Sequence, residues 1–167
     1  MLLTGTYSRV VDDKLRVSLP KRLREAMNCE EDGVVFVTPG TDGSLAIYTA
    51  VAFDRLASQL SQASPTRRDV RAFRRMLYGQ AQQVELDRQG RLRIGPELAR
   101  SAGIQKEVVL VGVEDHLELW DQEAWDAYLA EQQPRYDAIA ETAFAESSAG
   151  FGHIEPESET ALSSRPR

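Results

Sequence analysis

Cysteine and histidine are nearly missing from this chain of 167 residues, which holds one Cys, at 29, and two His, at 116 and 153. A single cysteine excludes an intramolecular disulfide framework and a zinc site built from several thiolates. Cys29 is expected to be reduced and to serve as packing. The motifs that carry common chemistries are absent too: there is no H-E-x-x-H, no Walker loop, no G-x-S-x-G and no G-x-G-x-x-G. Carboxylates are many but scattered, with no paired arrangement suited to acid–base work. The expectation is therefore a protein that is not an enzyme, with no catalytic residue, metal ligand, cofactor or small-molecule substrate. Long apolar runs are lacking as well. None approaches the roughly 18 residues that a spanning helix needs. The opening "MLLTGTYSRVVDD" has neither the basic start nor the apolar stretch of a secretion signal. A cytoplasmic protein without membrane association is expected.

What is present is an uneven charge. The net charge of −6 alone argues against a nucleic-acid partner. Its distribution argues the other way. Residues 1–29 carry six Lys/Arg against Asp12, Asp13 and Glu25, a net +3. Residues 67–100 carry nine Arg against Asp69, Glu85, Asp87 and Glu97, a net +5. The remainder, with five basic and nineteen acidic residues, holds −14. Association follows the local potential rather than the total. The plain alternative is that both blocks are solvated, Arg-rich helical faces.

Each basic block contains one copy of a repeat. "VVDDKLRVSLPKRLR" at 10–24 returns 75 residues later as "ELDRQGRLRIGPELA" at 85–99. Each holds an Asp, an Arg four positions on, an alternating apolar run and a Pro. A Pro-led helical turn follows ("PKRLREAM", "PELARSAG"), since proline suits the first helical position. Two buried strands come next ("GVVFVTPG" and "SLAIY"; "EVVLVGVE" and "HLELW"). A helix closes each copy ("TAVAFDRLASQL", "DQEAWDAYLAEQ"). The pattern predicts an α+β protein made of two copies of a small β-α-β-β-α unit. A unit near 50 residues buries too little surface to be safely stable alone, and its sheet edges want partners. The two copies should therefore pair or interleave into one pseudo-symmetric module.

The expected boundaries are a first repeat at 6–52, a helical connector at 53–80, a second repeat at 81–124, C-terminal helices at 125–146 and a tail at 147–167. In the connector, Ser64 is expected to cap and Pro65 to open a helix reaching about residue 78. Val70, Phe73, Arg74 and Leu77 would share one face, with Met76 beside them. A further helix should start at Pro134, with Tyr136, Ile139, Ala140 and Phe144 on its apolar face. These helices would pack back on the module or contact neighbouring subunits. The small, polar, acidic tail, which contains His153, is expected to be disordered. His116 is placed near the edge of its strand.

The repeated stretch reads as strand, tight turn, strand. Asp12 and Asp87 can accept hydrogen bonds from the turn's N–H groups, and Gly90 can take a positive φ at no steric cost. The position matching Gly90 is Leu15. A Leu at positive φ is strained, so the first turn must differ from the second or store strain. The Asp–Arg pair can be read as structural, an ion pair of small value. It can also be read as part of a basic hairpin that enters DNA, because a two-stranded ribbon fits the major groove and Arg can bond guanine in bidentate fashion. Both readings hold together if the Asp shapes the turn while Arg16 and Arg91 face outward. Lys21, Arg24, Arg88 and Arg93 lie within the same basic blocks and complete the candidate DNA-binding set.

Over about residues 3–145 the chain resembles the MraZ family of bacterial transcriptional regulators, built from two AbrB-like (SpoVT/AbrB) domains. "VDDKLRVSLP" carries the family's first Asp-x-Lys-Gly-Arg pattern through Asp12, Lys14, Arg16 and Pro20. "LDRQGRLRIG" carries the second through Leu86, Asp87, Gly90 and Arg91, and "LELWDQEAW" is similar to the family's second-domain ending. The chain departs at Leu15, where Gly is expected; at its start, where the family tends to have Met-Phe-x-Gly; and at Gly95, where Pro is usual. The resemblance implies tandem AbrB-like repeats with a swapped-hairpin-like (double-split) β core. It implies a homo-oligomeric ring, nucleoid association and binding to short promoter repeats. It also implies repression of a cell-division and cell-wall gene cluster. By carry-over it assigns DNA contact to Arg16 and Arg91, with Lys14. Avidity from several hairpins on one ring would make short, weak sites workable. A rival of another class is an antitoxin-like or scaffold protein whose hairpins pair with another protein.

Overall fold

The computed structural model describes residues 2–29 and 33–149. In the first repeat, β1 (Thr6–Val10) and β2 (Arg16–Ser18) flank the first Asp turn. Then come α1 (Lys21–Ala26), β3 (Val34–Pro39), β4 (Leu45–Thr49) and α2 (Ala50–Ser61). The connector is α3 (Arg68–Gln80). The second repeat runs through β5 (Gln82–Glu85), β6 (Arg91–Arg93), α4 (Pro96–Ser101), β7 (Glu107–Val113), β8 (His116–Asp121) and α5 (Gln122–Gln132). A 3-10 turn, Gln133–Arg135, and α6 (Tyr136–Ala149) follow. The chain divides near Tyr128 into two compact units, and the sheets and both Asp turns belong to the first. In the second unit, Tyr136 and Ile139 of α6 carry exposed side chains. The expectation of a disordered tail concerns residues that lie almost wholly outside those described.

The strands do not pair as the repeated stretch suggests. Neither Asp turn closes a hairpin of its own. β1 pairs with β7 and β5 pairs with β3, while β2 and β6 pair with each other, all antiparallel. The six-stranded sheet has the order β1-β7-β8-β4-β3-β5, and β2-β6 forms a separate ribbon. That order is a palindrome of the two repeats. Each repeat lends its first strand to an edge of the sheet, and each Asp turn carries the chain from the sheet to the ribbon. The expected interleaving is thus realised, but through crossed strands rather than docked hairpins. The physical gain is that both three-residue ribbon strands, too short to persist alone, are held at two ends.

Two positions mark the internal two-fold. Val17 faces Leu92 at the middle of the ribbon, and Ala46 faces Glu118 in the central pair of the sheet. Around the second point Leu45 opposes Leu119 and Ile47 opposes Leu117. Side chains alternate faces along a strand, so these four leucine-type residues point one way together with Val35, Val37, Val108 and Leu110. The inner faces of the ribbon strands, Val17 and Leu92, join the same core cluster. All ten are essentially inaccessible to solvent. Cys29 is buried at the edge of this core, as expected of a packing residue.

Matching positions end each unit in the same way. Thr49 Oγ1 accepts the N–H of Ala52 at 3.1 Å to start α2. Asp121, at the equivalent place, accepts from Glu123 N at 3.1 Å to start α5 and from Gln105 N at 3.1 Å. Both are buried polar residues made tolerable by these bonds. The connector departs from expectation. Ser64 does not cap it, because residues 65–67 form a turn and α3 begins at Arg68, with no side-chain cap at Arg67. Ser64 instead bonds within that turn, to Thr66. On α3, Val70 and Leu77 are buried and Arg74 donates to the Leu60 carbonyl at 2.8 Å, but Phe73 and Met76 stay exposed.

The outward face of the sheet carries aromatics. Phe36 stacks on Phe53 of α2 with ring centres 4.6 Å apart. His116 opens β8, at the end of its strand as expected; the strand itself lies in the middle of the sheet, and the ring stacks on Tyr48 at 4.9 Å. Its Nδ1 lies 2.9 Å from Asp115 and its Nε2 3.8 Å from Glu118. Glu118 above all, and Asp115, hold the imidazole above its ordinary pKa against the opposing effect of burial.

Candidate nucleic-acid interface

The two Asp turns are the same object built twice. Asp12 Oδ1 accepts the backbone N–H of Lys14 and of Arg16, each at 2.9 Å, and Oδ2 accepts Arg16 Nε at 2.7 Å. Asp87 does the same with Gln89, Arg91 and Arg91 Nε at 2.9, 2.9 and 2.7 Å. These bonds hold both carboxyls below the usual carboxylate range, the largest contribution being the backbone N–H of Arg16 and of Arg91 respectively. Asp is needed because two oxygens on a short stem can accept from the turn and from the guanidinium at once. Asn would keep the first role and lose the second, because its amide nitrogen donates and carries no negative charge.

The fourth turn residue has a positive φ in both copies, +57° at Leu15 and +70° at Gly90. The first turn therefore keeps the geometry of the second and carries backbone strain that a glycine would not. The structure indicates why the two positions differ. A Cβ at Gly90 would lie 2.5 Å from Arg24 Nε, so the guanidinium of Arg24 covers this turn, held by a 3.3 Å bond to the Leu19 carbonyl. The position equivalent to Arg24 is Ala99, which leaves room where Leu15 packs against the core. Gly95, another departure from the family pattern, lies under the amide of Gln82, which a Cβ would overlap.

The ribbon carries its charge on one face. Val17 and Leu92 point inward; Arg16 then lies opposite Arg93, and Ser18 opposite Arg91, on the outer face. Like charges directly opposite each other destabilise a strand pair. Two arginines in register are therefore a cost to the fold, offset by Asp12 behind Arg16. Arg16 and Arg91 are not free outward side chains, as the sequence suggested. Each keeps 28% of its side-chain surface, with Nε committed to the Asp. Lys14, Lys21, Arg88 and Arg93 are exposed, and Arg24 is half-buried over Gly90. All seven candidate cations thus lie on the ribbon, its turns or the adjoining α1.

Two further residues belong here that the sequence alone did not single out as binding residues. Arg22 is exposed on α1 between Lys21 and Leu23. Arg9 of β1 donates from Nε to the Ser18 carbonyl at 3.2 Å. Arg22 could have been found by its basic block. Arg9 could not, because its position at the ribbon depends on how β1 and β2 cross. Among the described residues, no cluster of three or more His, Cys, Asp or Glu is placed to hold a metal ion. Among the same residues, no helix is long and apolar enough to cross a membrane.

Fold and site together define a class: a mixed α+β protein whose two sequence repeats interleave around a mostly antiparallel sheet and present a basic two-stranded ribbon. The chain belongs to the MraZ family, whose profile, described as "MraZ protein, putative antitoxin-like", matches twice, at residues 2–76 and 77–146. Relatives called "Transcriptional regulator MraZ" include that of Thermomicrobium roseum, 39% identical over 126 residues, which cover 75% of this chain and 86% of the relative. That of Moorella thermoacetica is 38% identical over 141 residues, covering 84% and 95%. That of Mycobacterium avium is 35% identical over 142 residues, covering 85% and 96%.

Proposed function

We propose that this protein is a transcriptional regulator that binds duplex DNA through the outer face of the β2-β6 ribbon. The observation that carries the reading is Arg16 in register with Arg93 on a face turned away from the core. A fold gains nothing from that placement, whereas a polyanion would. Three residues per strand make a ribbon about 10 Å long, which suits a major groove about 12 Å wide. Asp12 and Asp87 pre-orient Arg16 and Arg91, so little side-chain entropy remains to be lost on docking. Lys14, Arg88, Arg93, Lys21 and Arg24 add phosphate or base contacts around them.

Membership of the family supports a regulator. The finer reading is a homo-oligomeric ring of AbrB-like repeats on the nucleoid, acting on short promoter repeats and repressing a division and cell-wall gene cluster. It extends this proposal by the family resemblance. Exposed apolar side chains on α3, Phe73 and Met76, suit contact between subunits. They suit the antitoxin-like or scaffold alternative equally, so salt dependence decides. Binding by phosphate neutralisation makes log K fall linearly with log salt, with a slope near −0.9 for each phosphate contacted. Selection of bound sequences from a random duplex library at two salt concentrations gives both slope and motif. An affinity that hardly changes with salt would overturn the DNA reading in favour of protein pairing.

A further inference from the structure

The internal two-fold makes the two ends of the ribbon equivalent in backbone but not in charge. In the antiparallel ribbon the turns stand at opposite ends. The first lies beside α4, through the Ile94 N–H bonded to the Leu15 carbonyl at 2.8 Å; the second lies beside α1, through the Leu19 N–H bonded to the Gly90 carbonyl at 3.0 Å. Equivalent positions 75 apart can then be compared. The first turn's exposed tip is Asp13-Lys14, and the second's is Arg88-Gln89. On the helices, Lys21, Arg22, Arg24 and Glu25 of α1 stand where α4 has Pro96, Glu97, Ala99 and Arg100. Arg9, bonded to Ser18 opposite Arg91, stands where β5 has Val84. Counting turn, ribbon residues, helix and Arg9 of β1, the second-turn end has six cations and two carboxylates, a net +4. The first-turn end has four cations and three carboxylates, a net +1.

We infer that each protomer engages DNA with a polarity: the end formed by the second turn and α1 anchors on the phosphates, while the Asp13–Glu97 end brings Arg16 and Arg93 to the groove with little net attraction for the backbone. This rests on the DNA reading above and adds to it the end that anchors. Phosphate attraction is set by local potential. Asp13 and Glu97 face a polyanion unfavourably, whereas Arg22, Arg24 and Arg88 face it favourably. At the second turn Gln89 replaces Lys14 at the tip, an uncharged side chain able to pair with adenine in bidentate fashion. A two-fold backbone thereby holds a site with its phosphate anchor at one end, and a single protomer has no reason to prefer a palindrome.

Reciprocal substitutions at equivalent exposed positions test this in the full chain, by titrating a bound duplex from the selected pool across a salt series. Arg22→Glu is expected to weaken binding at least about tenfold and to flatten the log K–log salt slope by about one unit, as follows when one phosphate is no longer neutralised. Glu97→Arg is expected to leave the slope as in the unaltered protein. Melting curves of both variants verify the fold, and Arg22→Gln serves if Arg22→Glu unfolds. A slope steepened by Glu97→Arg as much as Arg22→Glu flattens it would overturn the polarity while leaving DNA binding intact. A salt-independent unaltered protein would remove the DNA reading and the polarity with it.

Discussion

The guanidinium of Arg24 lies over Gly90, where a Cβ would come within 2.5 Å of its Nε. One repeat's helix thus covers the other repeat's turn. Gly90→Ala adds both this overlap and the cost of a positive φ of +70°, and should lower stability by about 1–2 kcal/mol in urea titrations. Combining Gly90→Leu with Arg24→Ala recreates the Leu15–Ala99 arrangement of the other end. The double variant should be more stable than Gly90→Leu alone, and a strictly additive loss would contradict the packing account.

Arg16→Lys keeps the charge but loses the planar fork. A lysine can serve Asp12 or a ligand but not both in the arginine geometry. Operator affinity should fall by about tenfold, on the order of 1–3 kcal/mol at one bidentate contact, with unchanged assembly by light scattering. Unaltered affinity would show that Arg16 serves the turn alone.

Asp12 and Asp87 have carboxyl pKa values below the ordinary 3.8. A depressed pKa contributes stability that is present above the unfolded value and lost as pH falls through the folded one. Their contribution should therefore persist at pH 5 and disappear only below about 3.8. Asp87→Asn should remove that acid dependence while keeping the Oδ1 bonds, and Asp87→Ala should be the more harmful of the two. Equal melting temperatures for both variants at neutral pH would refute the role given to Oδ1.

His116 and Glu118 titrate in opposite senses. The imidazole is raised above 6.5, so its contribution is complete below that value and lost as pH rises through the folded pKa. Glu118 is lowered below 4.5 by His116 first and by the Trp120 indole N–H next, so its contribution is complete above 4.5. The pair should stabilise most between these two values. His116→Gln should flatten the stability profile on the alkaline side of that window, and an unchanged profile would remove the histidine from the account.

Leu92 is wholly buried on the inner face of the ribbon. Leu92→Ala should cost about 2–5 kcal/mol, since a cavity there takes packing from both the ribbon and the sheet. Hydrogen exchange should also quicken at residues 16–18 and 91–93 together, because the strands pair only with each other. Independent exchange of the two strands would argue against the ribbon.

The repeat, the two Asp turns, the order of elements, the α+β class and the two basic blocks were all legible in the sequence, because each depends on neighbours along the chain. Alternating apolar residues announce strands, and Asp with a residue of positive φ announces a turn. What the chain alone left undecided was which strand each of these would meet. A strand's hydrogen-bonding edges are satisfied equally by a hairpin partner or by one far along the chain, and only the shared burial of Val17, Leu92 and the central leucines selects the crossed pairing. The same tertiary choice set Arg16 against Arg93, brought Arg9 to Ser18, laid Arg24 over Gly90 and thereby settled where a Leu could stand in place of a Gly. The charge of each end of the ribbon is written in the sequence, but that these residues form two ends at all is a consequence of how the repeats interlock.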